Sequence, residues 1–283
     1  MKILLTGKNG QVGWELARSL APLGDVVAHD RASLDLADAD ALCSLIRDAK
    51  PAIIVNAAAY TAVDKAESEL DVAFAVNAQA PRVLAEEARK LGALLVHYST
   101  DYVFDGTKPD PYLETDATNP VSVYGRSKLE GELAIRASGC RYLIFRTSWV
   151  FGPRSGNFLL TMLRLAGERN ELKIVNDQFG APTSSGMIAD ATAHALRVDG
   201  AEGLFHLTAS GRTSWSDFAK EIFKAAGLNT LVTPITSTQY PTAAHRPLNS
   251  SLDCAKLSKA FGFTPPPWQQ GLLACLRSLG KLH

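Results

Sequence analysis

Short β-rich runs alternate with helical patterns along the first half of the chain, and this alternation allows only a few folds. The β-rich runs cover residues 2–6, 25–29, 52–56, 93–99 and 141–149. Helical patterns fill 11–21, 39–49, 71–91 and 122–137, and the third contains Pro81, a residue type that kinks or divides helices. Strands that alternate with helices pair in parallel, and the helices cover both faces of the sheet. The sequence therefore predicts an α/β fold with a Rossmann-type, doubly wound parallel sheet.

The pattern changes after residue 150, which predicts a second, smaller part of the chain. Helical patterns at 158–167, 213–226 and 253–261 are mixed with a short strand at 172–175. Residues 203–207 are strand-like and are expected to return to the main sheet. Three prolines at 265–267 form a stiff spacer before a last amphipathic helix. We predict a first domain at 1–150, with a returning strand near 203–208, and a smaller lobe at 151–283 that is interleaved with it.

The charge balance argues against several classes of partner. Twenty-nine basic residues balance twenty-nine acidic ones in 283 residues, so no overall field draws the chain to nucleic acid or to an anionic membrane. No apolar stretch approaches the length of about 20 residues that spans a membrane. The N-terminal apolar run ends at Thr6, which is too early for a signal peptide. We therefore expect a cytoplasmic protein without nucleic-acid or membrane partners.

The residue types that usually bind metals are scattered. The cysteines lack the paired spacing of a zinc or redox site, and the histidines lack ligand spacing. We therefore predict no metal site and structural roles for these side chains, with His245 the one histidine to test for substrate contact. The residues concerned are Cys43, Cys140, Cys254, Cys275, His29, His97, His194, His206, His245 and His283.

A glycine-rich turn follows the first strand directly. Its spacing, Gly7-x-x-Gly10-x-x-Gly13, differs from the G-x-G-x-x-G form of the dinucleotide fingerprint, and alone it fits a packing turn equally well. A strand that stops at such a turn and continues as a helix directs backbone N–H groups at a phosphate. Asp30 ends the second strand about 20 residues further on, where a carboxylate meets the adenosine ribose in such folds. Together these features predict that the first domain binds a dinucleotide.

The residues next to Asp30 leave the choice between NADH and NADPH open. The carboxylate would repel the 2′-phosphate of NADPH, whereas the following Arg31 could pair with it. The alternative for this dipeptide is a solvated turn. Small residues at 57–59 follow Asn56 at the end of the third strand, which would let a flat cofactor lie close to the backbone.

Tyr124 and Lys128 lie four residues apart in a helical pattern and therefore share one face. A free tyrosine has a pKa of ~10, and a nearby ammonium favours the phenolate, which makes the phenol a better acid. The same ammonium could hold the nicotinamide ribose. Thr100 ends the fourth strand and could hydrogen-bond the same substrate oxygen. Because side chains alternate along a strand, Ser99 and Thr100 are not both expected to face the site, and we choose Thr100. The alternative for the pair is a packed aromatic ring and a solvated lysine.

Six stretches of the chain together resemble the dTDP-4-dehydrorhamnose reductase family, which belongs to the extended short-chain dehydrogenase/reductases. They are GKNGQVG at 7–13, NAAAYTAVD at 56–64, STDYVFDG at 99–106, YGRSK at 124–128, FRTSW at 145–149 and RP at 246–247. The likeness runs nearly end to end, and the stretches at 99–106 and 145–149 are the most specific. It implies reduction, with NADPH or NADH, of the C4 ketone of dTDP-4-dehydro-β-L-rhamnose to dTDP-L-rhamnose. That step is the last in making this sugar donor for cell-surface polysaccharide.

The resemblance also implies roles for single residues. The cofactor would contact Gly7, Gly10, Gln11, Val12, Asp30, Arg31, Asp35, Leu36, Ala59, Tyr60, Thr61, Tyr98, Tyr124 and Lys128. The sugar would contact Thr100, Asp101 and Trp149, although a large aromatic after a strand is as often part of a core. Arg246 or Arg154 could pair bidentately with the substrate diphosphate. The alternative for either is an exposed, solubilising arginine.

Some members of the family dimerise through a metal held by acidic side chains. Glu15 is present here, but the loop at 182–186 carries no carboxylate. A bridging Mg²⁺ therefore lacks part of its expected ligand set, and a homodimer would have to form without it.

Two other functions fit parts of the pattern. A sugar-nucleotide epimerase or dehydratase of the same superfamily shares the turn and the Tyr/Lys pair. A dehydratase, however, commonly carries Asp-Glu after the strand-end threonine, where this chain has Asp101-Tyr102. A non-catalytic, NADP-binding regulatory subunit similar to that of methionine adenosyltransferase also shares much of the pattern. Intact Thr100, Tyr124 and Lys128 do not exclude it.

Overall fold

A computed structural model of the chain describes residues 1–200 and 202–282, so the prediction for His283 lies outside the described residues. The strands are β1 Lys2–Thr6, β2 Asp25–His29, β3 Ile53–Asn56, β4 Leu94–Thr100, β5 Arg141–Thr147, β6 Val150–Phe151, β7 Glu171–Val175, β8 Phe179–Gly180, β9 Thr183–Ser184, β10 Gly203–His206, β11 Thr213–Ser214 and β12 Leu231–Ile235. The α-helices are α1 Gln11–Ser19, α2 Ala39–Ala49, α3 Val63–Ala66, α4 Leu70–Phe74, α5 Ala80–Leu91, α6 Val123–Ser138, α7 Phe158–Ala166, α8 Ser185–Ala195, α9 Trp215–Ala225, α10 Ala255–Phe261 and α11 Trp268–Ser278.

The central sheet pairs its strands in parallel in the order β10-β5-β4-β3-β1-β2. The apolar run of β1 is buried on both faces, because Ile3 and Leu5 pack into one core cluster and Leu4 into another. Continuous apolar strands of this kind are expected where helices cover both faces. The strand order changes direction at β1, which has β2 on one side and β3 on the other. In such folds a ligand binds at the carboxyl ends of the strands beside this switch point. The predicted doubly wound fold is confirmed.

The two parts of the chain are interleaved in the structure. β10 pairs in parallel with β5 and so extends the central sheet. α8 follows residue 150 as well, and its Ile188 and Ala189 pack into the same core cluster as Leu16 of α1. The C-terminal part has a separate core cluster around Phe218 and Leu272. A division of the chain into domains at residue 150 stays a prediction.

The structure bears out the predicted interruption near Pro81 and corrects one strand boundary. The helical pattern at 71–91 is divided into α4, a π-helical turn at Ala75–Gln79 and α5, and Pro81 lies in the first turn of α5. Proline cannot donate to a carbonyl one turn earlier, and the π-helical turn lies directly before it, where the regular hydrogen-bond pattern is interrupted. The strand predicted at 141–149 ends at Thr147, since Trp149 has φ +47°, which is incompatible with a strand. Within the described residues, no helix is both long and apolar enough to cross a membrane.

A buried ion pair fixes α6 to the sheet. Arg146 of β5 donates from Nε and Nη2 to the two carboxylate oxygens of Glu132, at 2.9 and 2.7 Å, and the two side chains are 2% and 0% exposed. Tyr124, Lys128 and Glu132 succeed one another at intervals of four residues on α6 and share one face. The pair therefore anchors the helix that carries Tyr124 and Lys128.

Replacing Glu132 with leucine is expected to lower the free energy of unfolding by about 3–5 kcal/mol, because the Arg146 guanidinium is then buried without its counter-charge. Urea unfolding followed by circular dichroism measures this loss. The exposed pair of Arg164 and Glu168 supplies the control, since Glu168→Leu should change stability by less than about 1 kcal/mol. Combining Glu132→Leu with Arg146→Met should recover most of the loss. An undiminished stability of the single variant would contradict the prediction.

Candidate active site

The glycine turn connects β1 to α1 at the carboxyl edge of the sheet. Gly7 has φ +76°, and a Cβ at Gly13 would lie 2.0 Å from the Gly7 carbonyl oxygen, so a side chain at Gly13 cannot fit. Gly10 is the N-cap of α1 and, among the residues described, no side chain caps this helix start. The first-turn N–H groups and the positive end of the helix dipole are therefore available to a phosphate.

A cleft of about 760 Å³ extends from this turn to α6. Every residue predicted to contact the cofactor lines it. They are Gly7, Gly10, Gln11, Val12, Asp30, Arg31, Asp35, Leu36, Ala59, Tyr60, Thr61, Tyr98, Tyr124 and Lys128. The cleft has the volume of a cofactor site and lies at the switch point of the sheet. Its glycine cradle and its position fit a bound dinucleotide.

Asp30 lines the cleft, and polar neighbours hold its carboxylate in place. Ser33 donates from its backbone N–H and from its hydroxyl to Oδ1, both at 3.0 Å, and Asn9 Nδ2 donates to Oδ2 at 2.9 Å. The Lys8 ammonium lies 3.4 Å from the same Oδ2. These hydrogen bonds from Ser33, and then the charge of Lys8, lower the pKa of Asp30 to about 2. Asp30 is therefore an ionised acceptor at neutral pH, with the exposed Arg31 beside it.

Tyr124 lies in the first turn of α6, which Ser122 caps by accepting from the Gly125 N–H at 3.1 Å. Burial raises the pKa of Tyr124 to about 12, an interaction with Thr100 opposes this rise, and the nearby Asp101 adds to it. Desolvation of the phenolate is the largest of these effects, and the expected lowering of this pKa by Lys128 stays a prediction. The phenol keeps its proton at neutral pH, which is the form that an acid needs.

Lys128 lies one turn further along α6 and is 2% exposed. Its ammonium donates to the Tyr98 carbonyl oxygen at 2.6 Å and lies 3.2 Å from His97 Nε2. Burial lowers the pKa of Lys128 to about 8, and the charge of Glu132 opposes that change. Lys128 also lines the cleft, so its Nζ can reach a bound ligand.

Buried polar atoms without partners collect at the ends of β4 and β5. Among the described residues, Ser99 Oγ, Thr147 Oγ1 and Asp101 Oδ2 have no hydrogen-bond partner. Burial raises the pKa of Asp101 to about 7, against interactions with Ser250 and Thr100 that lower it. Buried polar groups of this kind are usually satisfied, so these atoms are suited to a polar ligand.

Ser99 and Thr100 are the last two residues of β4, and they differ in their relation to the cleft. Ser99 lines the cleft, and Thr100 lies beside Tyr124. The strand ends at Thr100, whose hydroxyl accepts from the Tyr102 N–H at 3.1 Å as the chain enters a 3-10 turn at Asp101–Val103. Thr100 is not among the residues that line the cleft, which agrees with the alternation of side chains along the extended strand. The choice of Thr100 over Ser99 as the site residue stays a prediction.

The residues predicted to bind the sugar nucleotide lie outside the lining of the cleft. Trp149 stacks on Trp215, with ring centroids 3.5 Å apart and planes 3° apart. Arg246 donates from Nη2 and Nη1 to the Asp64 carboxylate at 2.7 and 3.1 Å, so it is not a free, solubilising arginine. Arg154 is exposed and lies 3.9 Å above the Trp14 ring.

Sequence reasoning did not find five polar residues that the structure brings to this region. Ser99 was the second choice after Thr100, because side chains alternate along a strand, and Thr147 was not singled out. The other three lie in strands whose sequences are typical of a buried core: Thr6 ends β1, Asn56 ends β3 and His97 lies within β4. The signal that could have found them is a polar residue in an otherwise apolar parallel strand, since such a strand is buried on both faces.

Glu15, the carboxylate considered for a bridging metal, pairs with Arg18 at 3.1 Å on α1. Burial raises the pKa of Glu15, and the charge of Arg18 opposes the rise. The described part of the chain contains no group of three or more His, Cys, Asp or Glu side chains placed to hold a metal ion.

Comparison with known proteins places the chain in one family. A family model described as the RmlD substrate binding domain matches residues 1–280. A dTDP-4-dehydrorhamnose reductase of Burkholderia thailandensis is 53% identical over 295 residues, which cover 99% of each chain.

Solved structures agree with the sequence comparison. A dTDP-4-dehydrorhamnose reductase of Clostridium acetobutylicum superposes with a TM-score of 0.96 at 40% identity, over 99% of this chain and all of the other. The Bacillus anthracis dTDP-4-dehydrorhamnose reductase in complex with NADP gives 0.93 at 35% identity, over 98% and 99% of the two chains. The resemblance predicted from the motifs is confirmed, and the chain belongs to the dTDP-4-dehydrorhamnose reductase family.

Proposed function

We propose that this chain uses NADPH or NADH to reduce the C4 ketone of dTDP-4-dehydro-β-L-rhamnose to dTDP-L-rhamnose, with Tyr124 as the acid. One observation carries the proposal: a single cleft has the glycine turn at one end and Tyr124 with Lys128 at the other. Family membership supports the reaction, and the NADP complex of the Bacillus anthracis relative supports the cofactor.

Tyr124 donates its phenolic proton to the C4 oxygen as the carbonyl is reduced. A bound reduced nicotinamide supplies the hydride. An alkoxide is a much stronger base than a phenolate, so the proton transfer is favourable even though burial raises the pKa of Tyr124 to about 12. Thr100, beside the phenol, donates its hydroxyl proton to the same oxygen once it turns from Asp101 Oδ1, to which it donates at 2.9 Å without substrate. Lys128 holds the nicotinamide ribose from its buried position on α6.

The unpartnered atoms at the ends of β4 and β5 receive the sugar. Ser99, Asp101 and Thr147 each offer a buried polar atom to a sugar hydroxyl, which relieves the cost of leaving that atom unpaired. Trp149, two residues beyond the end of β5, offers the sugar the part of its ring that Trp215 does not cover. For the diphosphate we favour Arg246 over Arg154. Arg246 interacts with Tyr102, and the Tyr102 ring meets the Tyr124 ring edge-on, with centroids 5.8 Å apart. Arg246 is therefore close to the proposed catalytic tyrosine.

The loss of NADPH absorbance on addition of dTDP-4-dehydro-β-L-rhamnose tests the proposal. We expect one NADPH consumed per sugar and dTDP-L-rhamnose as the product. A regulatory subunit would bind NADPH without consuming it. An epimerase or dehydratase would convert a sugar nucleotide without net consumption of NADPH. Either of these results would contradict the proposal.

Replacing Arg31 with alanine is expected to raise KM for NADPH about tenfold, because an ionic hydrogen bond to the 2′-phosphate is lost. KM for NADH should stay within about twofold, since NADH lacks that phosphate. Steady-state kinetics with both cofactors measures the ratio. Arg169→Ala, at an exposed position outside the cleft, is the control and should change neither value. An equal effect on the two cofactors would show that Arg31 does not contact the 2′-phosphate.

A further inference from the structure

His97 is a buried titratable group for which the proposed mechanism has no role, and it lies directly behind the ammonium of Lys128. It is 1% exposed on β4, and its Nε2 is 3.2 Å from Lys128 Nζ. Its Nδ1 is 3.1 Å from Asn56 Nδ2 on β3, and Asn56 Oδ1 accepts from the Thr6 hydroxyl of β1 at 2.7 Å. Polar side chains thus form a continuous row beneath the cleft, across three neighbouring strands.

The Lys128 ammonium has few hydrogen-bond acceptors around it. Glu132, on the same face of α6, is fully engaged by Arg146. Among the described residues, Lys128 Nζ has two partners within hydrogen-bond distance, the Tyr98 carbonyl oxygen and His97 Nε2. A buried ammonium has three N–H donors, each of which is costly to leave unpaired. Two partners behind the ammonium leave one donor for a ligand in the cleft.

The neighbours of His97 limit which of its two ring nitrogens can carry the proton. If Asn56 Nδ2 faces His97 Nδ1, then Nδ1 accepts, Nε2 carries the proton, and two donors oppose each other between His97 and the ammonium. Exchanging the amide oxygen and nitrogen of Asn56, by a half-turn of its side-chain amide, removes the conflict. His97 Nδ1–H then donates to Asn56 Oδ1, and Nε2 accepts from Lys128.

We infer that His97 is a positioning residue for Lys128: its neutral imidazole, protonated at Nδ1, accepts a hydrogen bond from the ammonium and directs the remaining N–H into the cleft. The inference rests on the proposed function, in which that N–H holds the nicotinamide ribose. Thr6 completes the row, because it accepts from Asn56 Nδ2 in this arrangement and itself lines the cleft beside the glycine turn.

Nitrogen-15 NMR of the histidine side chains in the protein without ligand tests the proton position without any need for activity. Long-range ¹H–¹⁵N correlations at pH 7 should show His97 with a protonated Nδ1 and an unprotonated, hydrogen-bonded Nε2. The signal is assigned by its loss in His97→Gln. In Lys128→Met the Nε2 resonance should move towards that of a free acceptor. A protonated Nε2, or an imidazolium, would overturn the inference even if the wild-type enzyme reduces its substrate.

Two near-isosteric replacements provide the kinetic test. Glutamine at His97 can place its amide oxygen near the former Nε2, within reach of Lys128, whereas asparagine is one methylene shorter and reaches only Asn56. We expect His97→Gln to keep kcat/KM for NADPH within about threefold and His97→Asn to lose about 10- to 100-fold. Thermal melting of both variants controls for a purely structural effect. Equal activities at equal melting temperatures would contradict a positioning role, and if neither variant folds, the NMR result on the wild type decides.

Discussion

Replacing Tyr124 with phenylalanine is expected to lower kcat by about 10²- to 10⁴-fold, because the developing alkoxide loses its proton donor. KM for NADPH should stay within about twofold, since the ring that lines the cleft is retained. The oxidation of NADPH under saturating substrate measures both values, and equilibrium binding of NADPH confirms that the cofactor site is intact.

Tyr142→Phe is the matched control for this change. Tyr142 lies on β5, half-buried and outside the lining of the cleft, so removal of its hydroxyl should leave kcat unchanged. Full turnover by the Tyr124→Phe enzyme would mean that another group protonates the C4 oxygen. Thr100 and Asp101, the two groups that influence the pKa of Tyr124, would then be the residues to replace next.

Replacing Lys128 with methionine is expected to lower kcat by at least about 10²-fold and to weaken NADPH binding about tenfold or more. Methionine fills a similar volume but offers no donor to the ribose, so it affects binding and turnover together. This combination distinguishes it from Tyr124→Phe, which should affect turnover alone. Isothermal titration with NADPH and steady-state kinetics measure the two effects, with the exposed Lys173→Met as the control.

The pH dependence of the wild-type enzyme provides a second measurement on Lys128. Burial lowers the pKa of Lys128 to about 8, so the ammonium predominates below that pH and is lost as the pH rises through it. Because kcat/KM reports groups of the free enzyme, its value for NADPH should fall above about pH 8. The Lys128→Met enzyme should lack that fall. If both enzymes show the same profile, the titrating group is not Lys128.

Much of the cofactor site could be predicted because its signals are local in sequence. Gly7, Gly10 and Gly13 belong to one turn, and Tyr124 and Lys128 to one helical face. The spacing within the turn and within the helix therefore fixes the relative positions of these residues without any long-range contact. The interruption near Pro81 was predicted, although periodicity does not reveal that it takes the form of a π-helical turn. The strand boundary that was wrong, near Trp149, depends on a positive φ that periodicity does not reveal either.

The contacts of the predicted substrate residues were not predictable in the same way. Arg246 meets Asp64, which lies 182 residues away along the chain, and Trp149 stacks on Trp215 from the C-terminal part. His97 was predicted to have a structural role, and the packing of α6 on β4 places it 3.2 Å from the Lys128 ammonium. Each of these contacts joins elements that only the folded chain brings together.

The sequence by itself determined the alternation of strands and helices, the glycine turn after β1, the Tyr/Lys pair and the family, because periodicity and short-range spacing encode them. Only the tertiary structure decided the protonation of the site and the partners of its charges. Burial raises the pKa of Tyr124 and lowers that of Lys128, and desolvation of this kind depends on what packs around a group in three dimensions.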